Sequence, residues 1–141
     1  MKARMVTEVS AKLPDRTGLL AEVTTALAAA DVNILAVVAW SSNDTASIQF
    51  TTEEAEAAEA ALLEMKAEVK NRSAVAVDLE HRPGALDAAA RRLAEAGIYI
   101  NHVYGSASAA AGKATIVFET DDDEKALEVL KGASTSEDVI L

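Results

Sequence analysis

The sequence has no cysteine, which removes disulfides, thiolate zinc sites and thiol nucleophiles together. Aromatic residues are scarce. Two Phe, two Tyr and one Trp leave little on which bases could stack, so a sheet built to hold single-stranded RNA is not expected. Positive charge is short as well: 13 Lys and Arg against 23 Asp and Glu give a net charge of −10. That balance works against nucleic-acid partners, whose affinity comes mainly from basic groups neutralising phosphates. No apolar run approaches the ~20 residues that span a bilayer, so no membrane partner is expected. The basic start Met1-Lys2-Ala3-Arg4-Met5 leads into half-polar sequence without a signal core, and a cytoplasmic address is the default. His81 and His102 lie in different segments without metal-ligand spacing, and no Ser, His and acid set or phosphate loop is present. No metal, no cofactor and no catalytic activity are therefore expected, and His102 is read as filling a sheet position.

What the chain does have is an internal repeat. Leu13-Pro14-Asp15-Arg16-Thr17-Gly18-Leu19-Leu20 returns 66 positions later as Leu79-Glu80-His81-Arg82-Pro83-Gly84-Ala85-Leu86. The match extends forward, Leu27 onto Leu93, Val32 onto Ile98 and Val37 onto Val103, and backward, Val9 onto Val75 and Ala11 onto Val77. Self-similarity at this spacing implies two duplicated units, residues 1–72 and 73–141, each near the small end of what folds alone. No linker rich in Pro, Gly or Ser separates them, so the two are expected to pack together.

Alternation of Val9, Ala11 and Leu13 with Glu8, Ser10 and Lys12 predicts a first strand over 5–13 with one buried face. From Gly18 the period becomes helical, with Leu20, Val23, Leu27 and Ala30 as one apolar stripe ending near Asp31, which can take the left-handed conformation reserved for Gly97 in the second copy. A strand over 32–41 is apolar on both faces and reads as an edge that joins another sheet. The turn Ser42-Asn43-Asp44 precedes a strand over 45–52 with Ala46, Ile48 and Phe50 inward, and a helix over 53–66 follows with Ala58, Leu62 and Met65 inside. A short strand around Val69 closes the unit. The second copy is predicted as strand 74–79, helix 84–96, strand 98–106, strand 113–120, helix 121–131 and a last strand near Val139-Ile140-Leu141, with Ala107 to Gly112 as a loose hairpin tip. The acidic runs in the second helix of each copy read as solvated faces.

The repeated turn carries the chemistry. Backbone amides in the first turn of a helix have no intrahelical partner, so Gly18, Leu19 and Leu20 can donate to a carboxylate. Asp15 can accept from an ammonium group, and Asn33 at the start of the next strand can bond either end of a zwitterion. The corresponding second set is His81, Gly84, Ala85 and Leu86, with Tyr99 in place of Asn33 and Asn101 two positions on. The same residues also make an ordinary helix start, with Asp15 as a cap and Gly18 relieving crowding.

Asp-Arg-Thr-Gly-Leu-Leu followed by Leu-Ala-Ala-Ala-Asp-Val-Asn-Ile, and His-Arg-Pro-Gly-Ala-Leu followed by Leu-Ala-Glu-Ala-Gly-Ile-Tyr-Ile, resemble two tandem ACT domains, over nearly the whole chain. The resemblance implies an α+β class: two ferredoxin-like βαββαβ domains with antiparallel sheets and helices on one face of each. It implies a stand-alone regulatory pair that binds a small molecule, usually an amino acid, where two ACT sheets meet side by side. On that basis the ligand-binding residues are Asp15, Arg16, Gly18, Leu19, Leu20, Asn33 and Ile34 in the first copy, and His81, Gly84, Ala85, Leu86 and Asn101 in the second. Thr17, Asp31 and Tyr99 depart from the family's usual proline, glycine and asparagine. A homodimer and a regulated enzyme or protein partner are the implied associations. The alternative is a structural or protein-interaction module with no small-molecule ligand.

Overall fold

The structure, a computed structural model, describes residues 1–108 and 112–140. Its elements are β1 (Lys2–Pro14), α1 (Leu19–Ala29), β2 (Ala36–Ser42), β3 (Thr45–Thr51), α2 (Ala55–Glu64), β4 (Glu68–Glu80), α3 (Ala85–Glu95), β5 (Ile100–Ser108), β6 (Lys113–Thr120) and α4 (Asp123–Ile140). The chain divides into two compact units, Val6–Arg72 and Met1–Met5 with Ser73–Leu141.

In the Val6–Arg72 unit the strands run in the order β2, β3, β1 and then the opening residues of β4. β3 is antiparallel to both neighbours, placing Ala11 and Ala39 on either side of Ile48. The β2–β3 hairpin turns on Asn43 and Asp44, both at positive φ, as its two central residues require when they match strand twist. One sheet face carries Val9, Ala11, Leu13, Ala46, Ile48 and Phe50. It is covered by Leu19, Val23 and Leu27 of α1 and by Ala58 and Leu62 of α2. Asp31 closes α1 at φ 58, as Gly97 closes α3 at φ 73.

Three expectations are corrected in this unit. The inner stripe of α1 runs 19, 23, 27 instead of starting at Leu20, which is 51% exposed. Glu8, predicted on the solvent side, is fully buried and accepts a bond from Gln49 Nε2 at 3.0 Å. The second strand begins at Ala36, because residues 32–35 are used to bring the chain off α1: the Asn33 amide donates to Glu54 Oε1 and the Leu35 amide to the Thr51 carbonyl.

The other unit has the order Met1–Met5 of β1, β4, β6, β5. Val75, Val77, Leu79 and Phe118 meet Ala85, Ala89 and Leu93 of α3 and Ala126 and Leu130 of α4, and Ala3 is buried in the same cluster. A last strand near Val139 does not form. Val139 and Ile140 lie in α4, and Leu141 is outside the described residues. Lys2–Met5 takes that strand's place, which explains why residues 1–5, expected with the first half, belong to the second unit. The opening of β4 likewise closes the first unit, so the short strand around Val69 and the strand from Ala74 are one continuous element. Residues 109–111 of the expected hairpin tip lie outside the described residues.

Arg4 secures the N-terminal strand by a 3.0 Å ion pair with Asp78. Partial burial pushes the Asp78 carboxyl up, but hydrogen bonds from Thr115 and Arg4 and the charges of Arg4 and Lys2 outweigh it, and the group sits below the usual carboxylate range. Ser73 anchors β4, the neighbour of that strand, by donating to Asp123 Oδ2 at 2.7 Å.

Candidate functional site

Among the described residues, each unit has a cavity at the turn before its first helix, and the two are built from corresponding positions. The first, about 270 Å³, is walled by Asp15, Arg16 and Gly18 of the turn, Leu19, Leu20 and Ala21 of α1, and residues 39–41 and 46–48 of the β2–β3 hairpin. The second, about 330 Å³, is walled by residues 79–82, Ala85 and Leu86 of α3, Gly105 and Ser106 of β5, and Ala114 and Ile116 of β6. Strand register makes the correspondence specific: Leu13 faces Ala46 as Leu79 faces Ala114, and Ala39 faces Ile48 as Gly105 faces Ile116.

The turns are held in the same way. The Asp15 amide donates to the Asp44 carbonyl at 2.9 Å, and the His81 amide donates to the Gly112 carbonyl at 3.0 Å. Each turn then enters its helix through a left-handed glycine, Gly18 at φ 85 and Gly84 at φ 90. A Cβ at either position would meet nothing within 4 Å, so glycine is there for its backbone conformation and not, as one sequence reading had it, to relieve crowding. Gly18→Ala should therefore destabilise the protein by about 1–2 kcal/mol, the cost of forcing an L residue into this region, read as a lower urea midpoint with an unchanged slope.

Asp15 does not cap α1, since the helix start has no side-chain cap bond. Its carboxylate instead accepts from Ser41 Oγ at 2.8 Å, which fixes one oxygen and leaves the group at the cavity wall. Arg16 is turned to Glu22, with Nε at 3.0 Å and a terminal nitrogen at 2.8 Å. That bond and the paired charges hold the guanidinium above its ordinary range and the Glu22 carboxyl below its own. Arg82 is turned instead to Glu80, at 2.9 Å. The Leu19 amide donates to the Arg16 carbonyl and the Ala85 amide to the Arg82 carbonyl, both at 3.3 Å, so the amides that follow in each first turn, which have no intrahelical acceptor, are the ones left to serve a ligand. Leu20 and Leu86 stand exposed at the two mouths, 51% and 47%.

Of the residues expected at the sites, the structure brings Asp15, Arg16, Gly18, Leu19 and Leu20 together around the first cavity, and His81, Ala85 and Leu86 around the second. Gly84 adjoins its cavity as the helix entry. Asn33, Ile34 and Asn101 are outside both linings. The hairpin residues Ala39, Trp40, Ser41, Ala46, Ser47 and Ile48 were not expected. The turn at Asn43-Asp44 was the available signal, because a two-residue turn pairs Ser41 with Ala46 and so brings both to the end of the hairpin beside Leu13. His102 Nδ1 lies 3.4 Å from Glu119 Oε2 on the sheet. Among the described residues, no group of three or more His, Cys, Asp and Glu could hold a metal ion, and no helix is long and apolar enough to cross a membrane.

Comparison with known proteins bears on this turn, helix and hairpin directly. Residues 7–68 match the ACT domain. The match contains the whole first cavity. No curated protein sequence matches the chain. Among solved structures, a protein of Bacteroides thetaiotaomicron is similar at 26% identity and TM-score 0.84, over 94% of this chain and 90% of that one. The regulatory subunit of aspartate kinase from Thermus thermophilus, in its ligand-free form, is similar at 18% identity and TM-score 0.69, over 91% and 92%. Aspartokinase III of E. coli, in complex with lysine and aspartate, is similar at 16% identity and TM-score 0.58, over 95% of this chain and 32% of that one. The last two likenesses are of fold. ACT domains are ligand-binding regulatory modules, so the match points to a regulatory role.

Proposed function

We propose that the chain is a pair of ACT domains, duplicated in sequence as 1–72 and 73–141 with residues 1–5 completing the second, and that its first cavity binds an α-amino acid. One observation carries the reading: Asp15, fixed by Ser41, and the start of α1, whose amides have no side-chain cap, wall the same small cavity. The carboxylate suits an ammonium group and the amides suit a carboxylate, so the pair is complementary to a zwitterion. Leu20 and Trp40, 51% and 40% exposed, offer apolar surface to the ligand's side chain.

Asn33 and Ile34 enter the proposal through association. β2 ends its sheet, and Val37 is 51% exposed on it. An unpaired apolar edge of this kind is suited to pairing with a second copy. In a homodimer joined there, Asn33 and Ile34 of one copy would be available to cover the ligand of the other, with Asn101, two positions beyond the Asn33 counterpart Tyr99, available to the second site. The amino acid then favours one state of the assembly only through its differential affinity, and an enzyme or other protein partner reads that state. That aspartokinase III was solved with lysine and aspartate supports amino acids as the first class to test.

The test is isothermal calorimetry with the full chain against each of the twenty amino acids. At least one is expected to bind, and Asp15→Ala is expected to weaken it tenfold or more without lowering the helix content. Equal binding by wild type and variant contradicts the assignment of Asp15, and no binding by any amino acid contradicts the reading as a whole.

A further inference from the structure

The two cavities share a frame but not a lining, and they differ in charge and in size. Arg16, Leu20, Ala46 and Ile48 correspond to Arg82, Leu86, Ala114 and Ile116. Asp15, however, is replaced by His81, Leu19 by Ala85 and Ala39 by Gly105. Register aligns Trp40, opposite Ser47, with Ser106, opposite Thr115. An acid has been exchanged for a base, and three larger side chains for smaller ones, in a cavity of about 330 Å³ against about 270 Å³.

The room is used where it matters for shape. A Cβ on Gly105 would lie 2.5 Å from Ile116 Cδ1 and 2.7 Å from the Thr115 carbonyl oxygen, so the glycine lets the Ile116 side chain lie across β5 as part of the cavity wall. Glu80 is the one acid in this lining, and its carboxylate is held by Arg82 at 2.9 Å. An ammonium entering here would lack the acceptor that Asp15 supplies in the first cavity, since the Glu80 carboxylate is already paired with Arg82. A carboxylate is in the opposite position, because the His81 ring carries an N–H donor and Arg82, whose Nε is engaged by Glu80, still has its terminal N–H groups.

From this exchange we infer that the second cavity is a site for a monocarboxylate with a branched or aromatic body and no ammonium group, the α-keto acid class. The inference deepens the proposed sensor reading and rests on it, since it takes both cavities as ligand sites. The chain would then weigh an amino acid at one cavity against a deaminated acid at the other, with Asp15 and His81 as the discriminating residues.

Matched probes test it. The full chain is titrated calorimetrically with leucine and phenylalanine, and with α-ketoisocaproate and phenylpyruvate, which have the same bodies without the ammonium. The variants are His81→Asp, Ser106→Trp and, as control, Asp15→Asn. Residues 81 and 106 are exposed, and circular dichroism verifies each fold. A keto acid is expected to bind wild type, to bind at least tenfold more weakly to His81→Asp, and to be excluded by Ser106→Trp, which rebuilds the indole of the first cavity. Asp15→Asn should leave keto-acid binding unchanged. If Ser106→Trp does not fold, His81→Asp decides alone. No keto-acid binding, or binding that survives His81→Asp but is lost in Asp15→Asn, overturns the inference. If keto acids bind as expected and no amino acid does, the inference stands and the amino-acid reading of the first cavity fails.

Discussion

Removing Met1–Met5 should cost the unit formed with Ser73–Leu141 roughly 3 kcal/mol or more, although these residues lie farthest from it in sequence. They form the strand beside β4, bury Ala3 in the core with Val75 and Val77, and carry the Arg4 partner of Asp78. A few ladder hydrogen bonds at about 1 kcal/mol each, together with the apolar surface of Ala3 and Met1, account for the magnitude. Hydrogen exchange is the direct readout: protection along Ala74–Glu80 should fall in the shortened chain. The acid response should change too. The Asp78 carboxyl is lowered in the folded state, so its contribution is present above its unfolded pKa and is lost as pH falls through the folded value. Without Arg4 and Lys2 much of that dependence should disappear. Unchanged protection in β4 would mean that the strand has no structural weight.

Phe50→Ala and Phe118→Ala should each destabilise by about 3–5 kcal/mol, the usual range for deleting a buried phenyl ring. The two rings occupy corresponding positions, Phe50 facing Val9 and Phe118 facing Val75, and each is almost wholly buried in its own core. Among the described residues neither core has another aromatic residue to close over the gap, since the remaining buried members are aliphatic side chains and alanines. Alanine-rich helices leave little room for rearrangement, and that puts the expected cost in the upper part of the range. The effects should be separable by hydrogen exchange, with Phe50→Ala lowering protection in β1 and β3 and Phe118→Ala in β4 and β6. A loss below 1 kcal/mol for either would show that the cores are not packed as described.

Much of the local structure could be read from the chain because the repeat states it twice. Where period-2 alternation was unbroken, as in Val9, Ala11 and Leu13 or Ala46, Ile48 and Phe50, the inward face was legible. Where the pattern was local but its meaning was not, reading failed. Leu20 fits the apolar period of α1 as well as Leu19 does, and only the direction in which the left-handed Gly18 launches the helix decides which one is buried. Glu8 looks like a solvent residue until the β1–β3 pairing that brings the Gln49 side chain within hydrogen-bond reach of it is known. The role of Lys2–Met5 was illegible for a related reason: strand neighbours distant in sequence leave no periodic trace. The expected strand at Val139-Ile140 was the nearest substitute for a partner that lies at the other end of the chain.

The candidate sites divide on the same line. Turn and helix residues were legible because the peptide sequence determines that geometry, and they do surround the two cavities. The hairpin side depends on which strand pairs with which, and Ser41, the residue that fixes Asp15, belongs to that side. Asn33 is set apart by a tertiary contact, its amide being held by Glu54 across 21 positions of sequence.

The most direct test of the sensor reading is a set of thermal melts of the full chain with each of the twenty amino acids, repeated on Asp15→Ala. A ligand present at ~100-fold above its Kd adds about 2.7 kcal/mol, which raises the midpoint by several degrees in units of this size. The account predicts such a rise for at least one amino acid with wild type and its loss in Asp15→Ala. Twenty melts that coincide with the ligand-free curve would contradict it.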